Sequence, residues 1–163
     1  MISTIIYILS IVAANYGFTL LPVVQLPTGD MWPPMSLLVG FIFVVRDFAQ
    51  REIGHKVLLA MIVGGVISWF MASPEVAVAS VTAFAVSELL DWGVYSFTRR
   101  PFSQRILISS GISTPVDSAI FLVMIGLFSF STLIIMTASK MIGAAAVFWM
   151  VRRRENAQIS TVH

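Results

Sequence analysis

The chain has 163 residues, is 58% hydrophobic and 11% charged, and carries a formal net charge of +2. A soluble domain of this size cannot bury that much apolar surface, so the composition excludes a soluble globular protein and points to a one-domain integral membrane protein. Cysteine is absent and the only histidines are His55 and His163, which excludes disulfide, thiolate and His/Cys metal chemistry.

Six apolar segments are predicted in chain order. The first runs from about Ile2 to Leu21 and stops at Pro22. No Lys or Arg precedes it, so it reads as an uncleaved membrane helix rather than a secretory signal. A proline-rich loop follows, closed by Trp32, an interface residue. The second segment starts near Pro34 and runs into Arg46-Asp47-Phe48-Ala49-Gln50-Arg51. The third spans Lys56 to Ala72. Ser73-Pro74-Glu75 is a helix start, with Ser as N-cap and Pro at the first helical position. The fourth segment ends near Phe97. Thr98 to Ser113 is basic and partly amphipathic, and is expected to lie along the membrane surface. The fifth segment covers about Pro115 to Phe130 and the sixth about Thr132 to Val151. This gives a transmembrane domain over residues 1–151 and a polar cytoplasmic tail over 152–163.

The basic residues set the expected orientation. Arg46, Arg51 and Lys56 fall between segments two and three, and Arg99, Arg100 and Arg105 between four and five. Arg152, Arg153 and Arg154 follow segment six. Only Lys140 stands apart, so both termini are expected on the cytoplasmic side. Basic residues spread over three connections do not form a nucleic-acid face.

The fourth segment carries Glu88 and Asp91, one helical turn apart on one face, with Ser87 beside them and Tyr95 a heptad after Glu88. Each acid near the centre of a membrane helix costs roughly 2.5–3.5 kcal/mol on insertion scales. Such a stripe needs partners, a cavity or a ligand. Arg46 lies roughly 18 Å along its helix from Pro34 and Glu88 roughly 21 Å from Pro74, at 1.5 Å per residue. Glu88–Arg46, Asp91–Arg51 and Glu88–Lys140 are all open as pairs. Asp47 and Gln50 flank Arg46. Lys140 has no capping role at mid-depth, so it is a salt-bridge partner or a site residue. Asp117 follows Thr114-Pro115-Val116, which fits a helix cap with a functional role as the other reading. Asn15 reads as an interhelical hydrogen-bonding group or a ligand contact. Gly64-Gly65 and the small residues 143–146 read as close helix contacts. Enzyme chemistry is not expected, because no GxSxG or HExxH pattern and no buried His base are present. No organic cofactor or metal is expected. No GxxxxGK[ST] loop occurs, so ATP coupling would need another chain.

Taken together, Val45-Arg46-Asp47-x-x-Gln50-Arg51-x-x-Gly54, Ala79-Ser80 followed by Ser87-Glu88-x-x-Asp91-x-x-Val94-Tyr95, Ser109 followed by Asp117-Ser118-x-x-Phe121, and Ser139-Lys140 resemble the VUT family, the vitamin uptake or queuosine-precursor transporters. The likeness runs from about Asn15 to Lys140. It implies an all-α, six-helix membrane bundle similar to the substrate-binding subunits of energy-coupling-factor transporters. It also implies import of a small purine-like substrate, 7-cyano-7-deazaguanine or a related 7-deazaguanine, across the bacterial inner membrane, with the lipid bilayer as surroundings. A separate energising module or a homo-oligomer is an implied partner. A carboxylate such as Glu88 or Asp91 can accept both N–H groups on the edge of a guanine-like ring. Tyr95, Trp92 or Phe84 can offer a stacking face, and Gln50 or Asn15 can bond the ring carbonyl. The charged set is otherwise a gate or ion-pair network that couples opening to binding.

Overall fold

The computed structural model describes residues 1–71 and 74–160, with side chains as far as Arg153. Among the described residues there are six α-helices: α1 (Ile2–Leu20), α2 (Ser36–Ile53), α3 (Val57–Met71), α4 (Pro74–Phe97), α5 (Phe102–Met124) and α6 (Phe130–Ser160). A 3-10 turn, Gly54–Lys56, joins α2 to α3. A two-stranded antiparallel hairpin, β1 (Val24–Gln25) with β2 (Met31–Trp32), joins α1 to α2.

Five helical stretches have the length and apolarity to cross a membrane. One of them, Ser36–Met71, contains both α2 and α3. Gly54 breaks that stretch at φ 63°, a left-handed value that a residue without Cβ adopts freely, and its N–H closes α2 by bonding the Gln50 carbonyl. The chain reverses there. Thr4 at the start of α1 donates to Glu52 at the end of α2 (2.8 Å), so α1 and α2 run antiparallel. Gly64 meets Ile11 and Ser68 meets Asn15, so α3 runs parallel to α1.

The polarity of the fold is inverted relative to a soluble protein. Large apolar side chains such as Leu9, Leu59, Phe70, Phe97 and Ile134 face outward, while Arg46, Asp47, Glu88, Asp91 and Lys140 are buried. Among the described side chains, Arg51, Lys56, Arg99, Arg100, Arg105, Arg152 and Arg153 collect at or near one end, here called the basic end. The hairpin marks the other. Asp30 in the hairpin accepts from Thr28 Oγ1 (2.8 Å) and from Ser131 Oγ, tying the hairpin to the start of α6. Those hydrogen bonds, Ser131's foremost, hold the Asp30 carboxyl below its usual range.

The packing of α6 on α2 rests on glycine. A Cβ on Gly40 would collide with the backbone of Lys140, and one on Gly143 would come within 2.9 Å of the Gly40 carbonyl carbon. Backbones can approach this closely only where side chains are absent. The expected tight contacts at Gly143 and Gly64 form, whereas Gly65 has nothing within 4 Å of its Cβ position.

Three expectations fail here. Thr98–Ser113 is not a surface connection, and the fifth helix does not start at Pro115. α5 begins at Phe102 and carries Pro115 inside it. Its serines gave the segment a polar reading, yet Ser103, Ser109, Ser110, Ser113 and Ser118 are all buried. Ser109, Ser113 and Thr114 bond carbonyls one turn back, which satisfies them without water. α6, in turn, does not stop at Val151 but stays helical to Ser160. The expected cap Ser73 lies outside the described residues, while α4 starts at Pro74 as read.

Candidate functional site

Arg46 is the centre of a buried ion network. It projects from α2 with no exposed surface. Its Nη1 lies 2.8 Å from Asp47 Oδ1 and 2.9 Å from Asp91 Oδ2. Its Nε lies 3.1 Å from Glu88 Oε2, an ion pair rather than an aligned hydrogen bond. One guanidinium thus meets three carboxylates from two helices. Helical spacing explains the pattern. Glu88 and Asp91 stack on one face of α4, and α2 runs parallel beside it at matching depth. Further donors complete the set: Tyr7 Oη to Glu88 (2.8 Å), Ser109 Oγ to Asp47 (3.3 Å) and Ser113 Oγ to Asp91 (3.3 Å).

A second buried pair lies nearby. Lys140 on α6 binds Asp117 Oδ2 on α5, and Ser87 Oγ donates to Asp117 Oδ1 at 3.1 Å. Ser87 precedes Glu88 on α4, so the two ion groups sit next to one another. Asp117 is therefore a mid-helix residue of an ion pair and not a helix cap, because Pro115 lies within α5 rather than at its start. Of the open pairings, Glu88–Arg46 forms. Asp91 pairs with Arg46 and not Arg51, whose guanidinium lies 4.8 Å from the Phe102 ring centre. Lys140 pairs with Asp117 and not Glu88, because α6 packs beside α5 and α2 at that depth.

The remaining expected residues separate toward the two ends. Gln50 donates to Ser96 Oγ (2.9 Å) near the basic end. Tyr95 is buried there under the Arg105 guanidinium, 3.9 Å from the ring centre, and its backbone carbonyl takes Arg105 Nη2 at 2.6 Å. The Tyr95 ring also lies 5.9 Å from the Arg46 guanidinium, so it borders the network on its basic side. Trp92 donates to His55 Nδ1 (3.0 Å). Asn15 lies toward the hairpin end. Its Nδ2 donates to the Ile11 carbonyl (2.9 Å) and Ser68 Oγ (3.3 Å), while its Oδ1 is buried without a partner.

Asn15, Ser80 and Asp117 line a small cavity of about 20 Å³, walled by Phe18, Phe84 and Phe121. That volume suits about one water molecule. Asn15 is five residues from the end of α1, roughly 8 Å by helical rise, whereas Glu88 is roughly 21 Å from the start of α4. The cavity therefore lies on the hairpin side of the network, and its one carboxylate, Asp117, is the partner of Lys140.

Sequence reasoning missed Tyr7, whereas Ser80 belongs to the motif read on the fourth segment. Tyr7 lies eight residues before Asn15, on the same helical face through Ile11, and that spacing was the available signal. Ser80 lies on the Glu88 side of α4 at a similar interval.

No curated protein and no solved structure matches the chain. Residues 35–152 match a family described as "Putative vitamin uptake transporter". The matched segment covers more than two thirds of the chain and contains the whole Arg46–Asp47–Glu88–Asp91 network with the Asp117–Lys140 pair. The chain is a multi-pass membrane protein that belongs to the vitamin uptake transporter family.

Proposed function

We propose that the chain imports a 7-deazaguanine precursor of queuosine, 7-cyano-7-deazaguanine or a close relative, across the bacterial inner membrane. One observation carries this reading. Six charged motif residues, Arg46, Asp47, Glu88, Asp91, Asp117 and Lys140, come together as two adjacent buried ion groups next to a small cavity with aromatic walls. Such charge inside an apolar bundle is costly unless it serves a solute or coupling pathway.

In this reading the chain crosses the membrane six times, α2 and α3 separately. The basic end faces the cytoplasm, with both termini, in keeping with the positive-inside rule. The architecture is then similar to that of energy-coupling-factor substrate-binding subunits. Glu88 and Asp91 are engaged by Arg46, so the network of Arg46, Asp47, Glu88 and Asp91 is assigned to coupling rather than base recognition. Four buried carboxylates (Asp47, Glu88, Asp91, Asp117) face two buried cations (Arg46, Lys140) among the described residues. A low-dielectric interior does not hold that excess negative charge bare. Bound protons are the simplest neutralising charge, which makes the proton the coupling ion of this reading.

The test is uptake of labelled 7-cyano-7-deazaguanine by the purified chain in proteoliposomes, with the outside acidified. Accumulation that collapses with a protonophore and is lost in Glu88→Gln is expected. No uptake by correctly inserted protein would contradict unaided transport, and would favour a binding subunit that needs a separate energising module.

A further inference from the structure

A second cavity opens at the hairpin end, between the ends of α1, α4 and α5. It holds about 400 Å³ and is lined in part by Leu21, Val23 and Glu75. Among the described residues it shares Phe18 and Phe121 alone with the inner cavity. Their rings pack against each other with centroids 5.0 Å apart and planes tilted by 39°. That aromatic pair is the partition between the two spaces. Phe18 is two residues from the end of α1, and Phe121 three from the end of α5. Helix ends are the least tethered parts of a bundle.

The inner cavity has the polar character of a seat. Asn15 is 6% exposed, yet its Oδ1 has no partner and lines the space. An unpaired buried acceptor costs about 1–3 kcal/mol, a penalty that a donor entering the cavity removes. Asp117 is 5% exposed, and each of its oxygens already takes one donor, from Ser87 and Lys140. A carboxylate has about four acceptor positions, so further N–H groups can be accommodated. Ser80 Oγ, held by the Val76 carbonyl at 2.6 Å, adds a third polar atom. Acceptors dominate, and Phe18, Phe84 and Phe121 supply flat apolar walls.

We propose that Phe18 and Phe121 form a gate between the outer vestibule and the polar group of Asn15, Ser80 and Asp117, and that with the gate open the joined space takes a flat heterocycle whose adjacent N–H donors reach that group, the seat for its polar edge. This deepens and rests on the transport reading above. The Arg46 network lies beyond the seat, so the substrate meets Asp117 first, and the Ser87–Asp117 bond joins the seat to the helix that carries Glu88.

The chain contains no cysteine, so a single Ser80→Cys variant reports access to the seat. The probe is a membrane-impermeant trimethylammonium methanethiosulfonate, applied from outside to intact spheroplasts. Val24→Cys on the exposed hairpin serves as the labelling control. S80C alone should label slowly, and adding F121A should speed labelling about tenfold or more, since access then needs no local opening. F18A removes the other half of the partition and should do the same, which guards against misfolding of one variant. 7-Cyano-7-deazaguanine should slow labelling of S80C/F121A, and Asp117→Asn should weaken that protection. An S80C rate unchanged by both gate variants, with V24C labelling normally, overturns the gate. Acceleration without protection, in a chain that transports the base, overturns the seat. The same result in a chain that does not transport it contradicts the substrate assignment and leaves the gate supported.

Discussion

Arg46 is the residue on which the interior balances, because one guanidinium answers Asp47, Glu88 and Asp91 together. Its removal would leave three buried carboxylates without a counter-charge. Arg46→Ala is expected to cost about 3–5 kcal/mol, the range for breaking a buried ion pair from one side. Arg46→Lys should recover little of it, since a point charge on a flexible stem cannot occupy the Nε and Nη1 positions at once. Unfolding in detergent micelles checks both, and an Arg46→Ala chain as stable as the parent would show that the network carries no structural load. The Asp117–Lys140 pair makes a parallel case. Lys140→Met alone should be strongly destabilising, and Lys140→Met with Asp117→Asn should regain part of the loss. The two sites are expected to couple by about 0.5–3 kcal/mol in a double-mutant cycle, and additive effects would argue against the pair. The charged residues themselves were legible from the sequence, because an ion in an apolar helix stands out. Their partners were not. Depth alone left Arg46, Arg51 and Lys140 as rivals, and the lateral order of the helices, with α6 beside α5, decided among them. Tyr7 escaped because one hydroxyl in an apolar helix gives little signal.

At the scale of elements, α5 shows how a buried serine stripe misleads. The segment reads as basic and partly amphipathic, but its hydroxyls serve Asp47 and Asp91 and bond back along their own helix. Pro115 reads as a helix start and instead lies mid-helix, where its missing N–H costs one backbone bond. The contact between α2 and α6 was legible at Gly143 as a run of small residues, while its counterpart Gly40 sits alone between larger residues. Gly40→Leu should destabilise the fold by at least about 1–3 kcal/mol, because Lys140's backbone occupies the space a side chain would need. Gly111→Ala on α5, with nothing within 4 Å of its Cβ, should instead stabilise by about 0.5–1 kcal/mol. Thermal unfolding of the two variants should move in opposite directions, and equal shifts would contradict the packing. The hairpin carries a pH dependence of its own. The Asp30 carboxyl is held below its usual range, chiefly by Ser131 and then by Thr28. A group depressed in the folded state contributes stability above its unfolded pKa and loses it as pH falls through the folded one. The tie is thus complete at neutral pH and is lost in acid, below about pH 4. Hydrogen exchange at the Leu26 and Gly29 amides should quicken there in the parent, and Asp30→Asn should flatten the response. Identical profiles would dissociate Asp30 from hairpin order.

For the whole molecule, an apolar exterior around buried ion groups, flanked by one basic end, is the form expected of a chain that moves a polar solute through lipid. The membrane class and the alternation of basic connections were visible in composition and spacing, since both depend on residue type rather than on contacts. The cavities were not visible, because Phe18, Phe84 and Phe121 come from three helices and look like ordinary apolar residues in the chain. The central claim is transport of a queuosine precursor by this chain past those groups. Its most direct test uses bacterial cells unable to make or import such precursors, supplied with 7-cyano-7-deazaguanine at low concentration and expressing the parent, Glu88→Gln or Asp117→Asn at matched membrane levels. Queuosine in tRNA is the readout. The parent should restore it, and both variants should lose about tenfold or more, the effect of a change of 1.4 kcal/mol. A well-inserted parent that restores no queuosine would contradict the account.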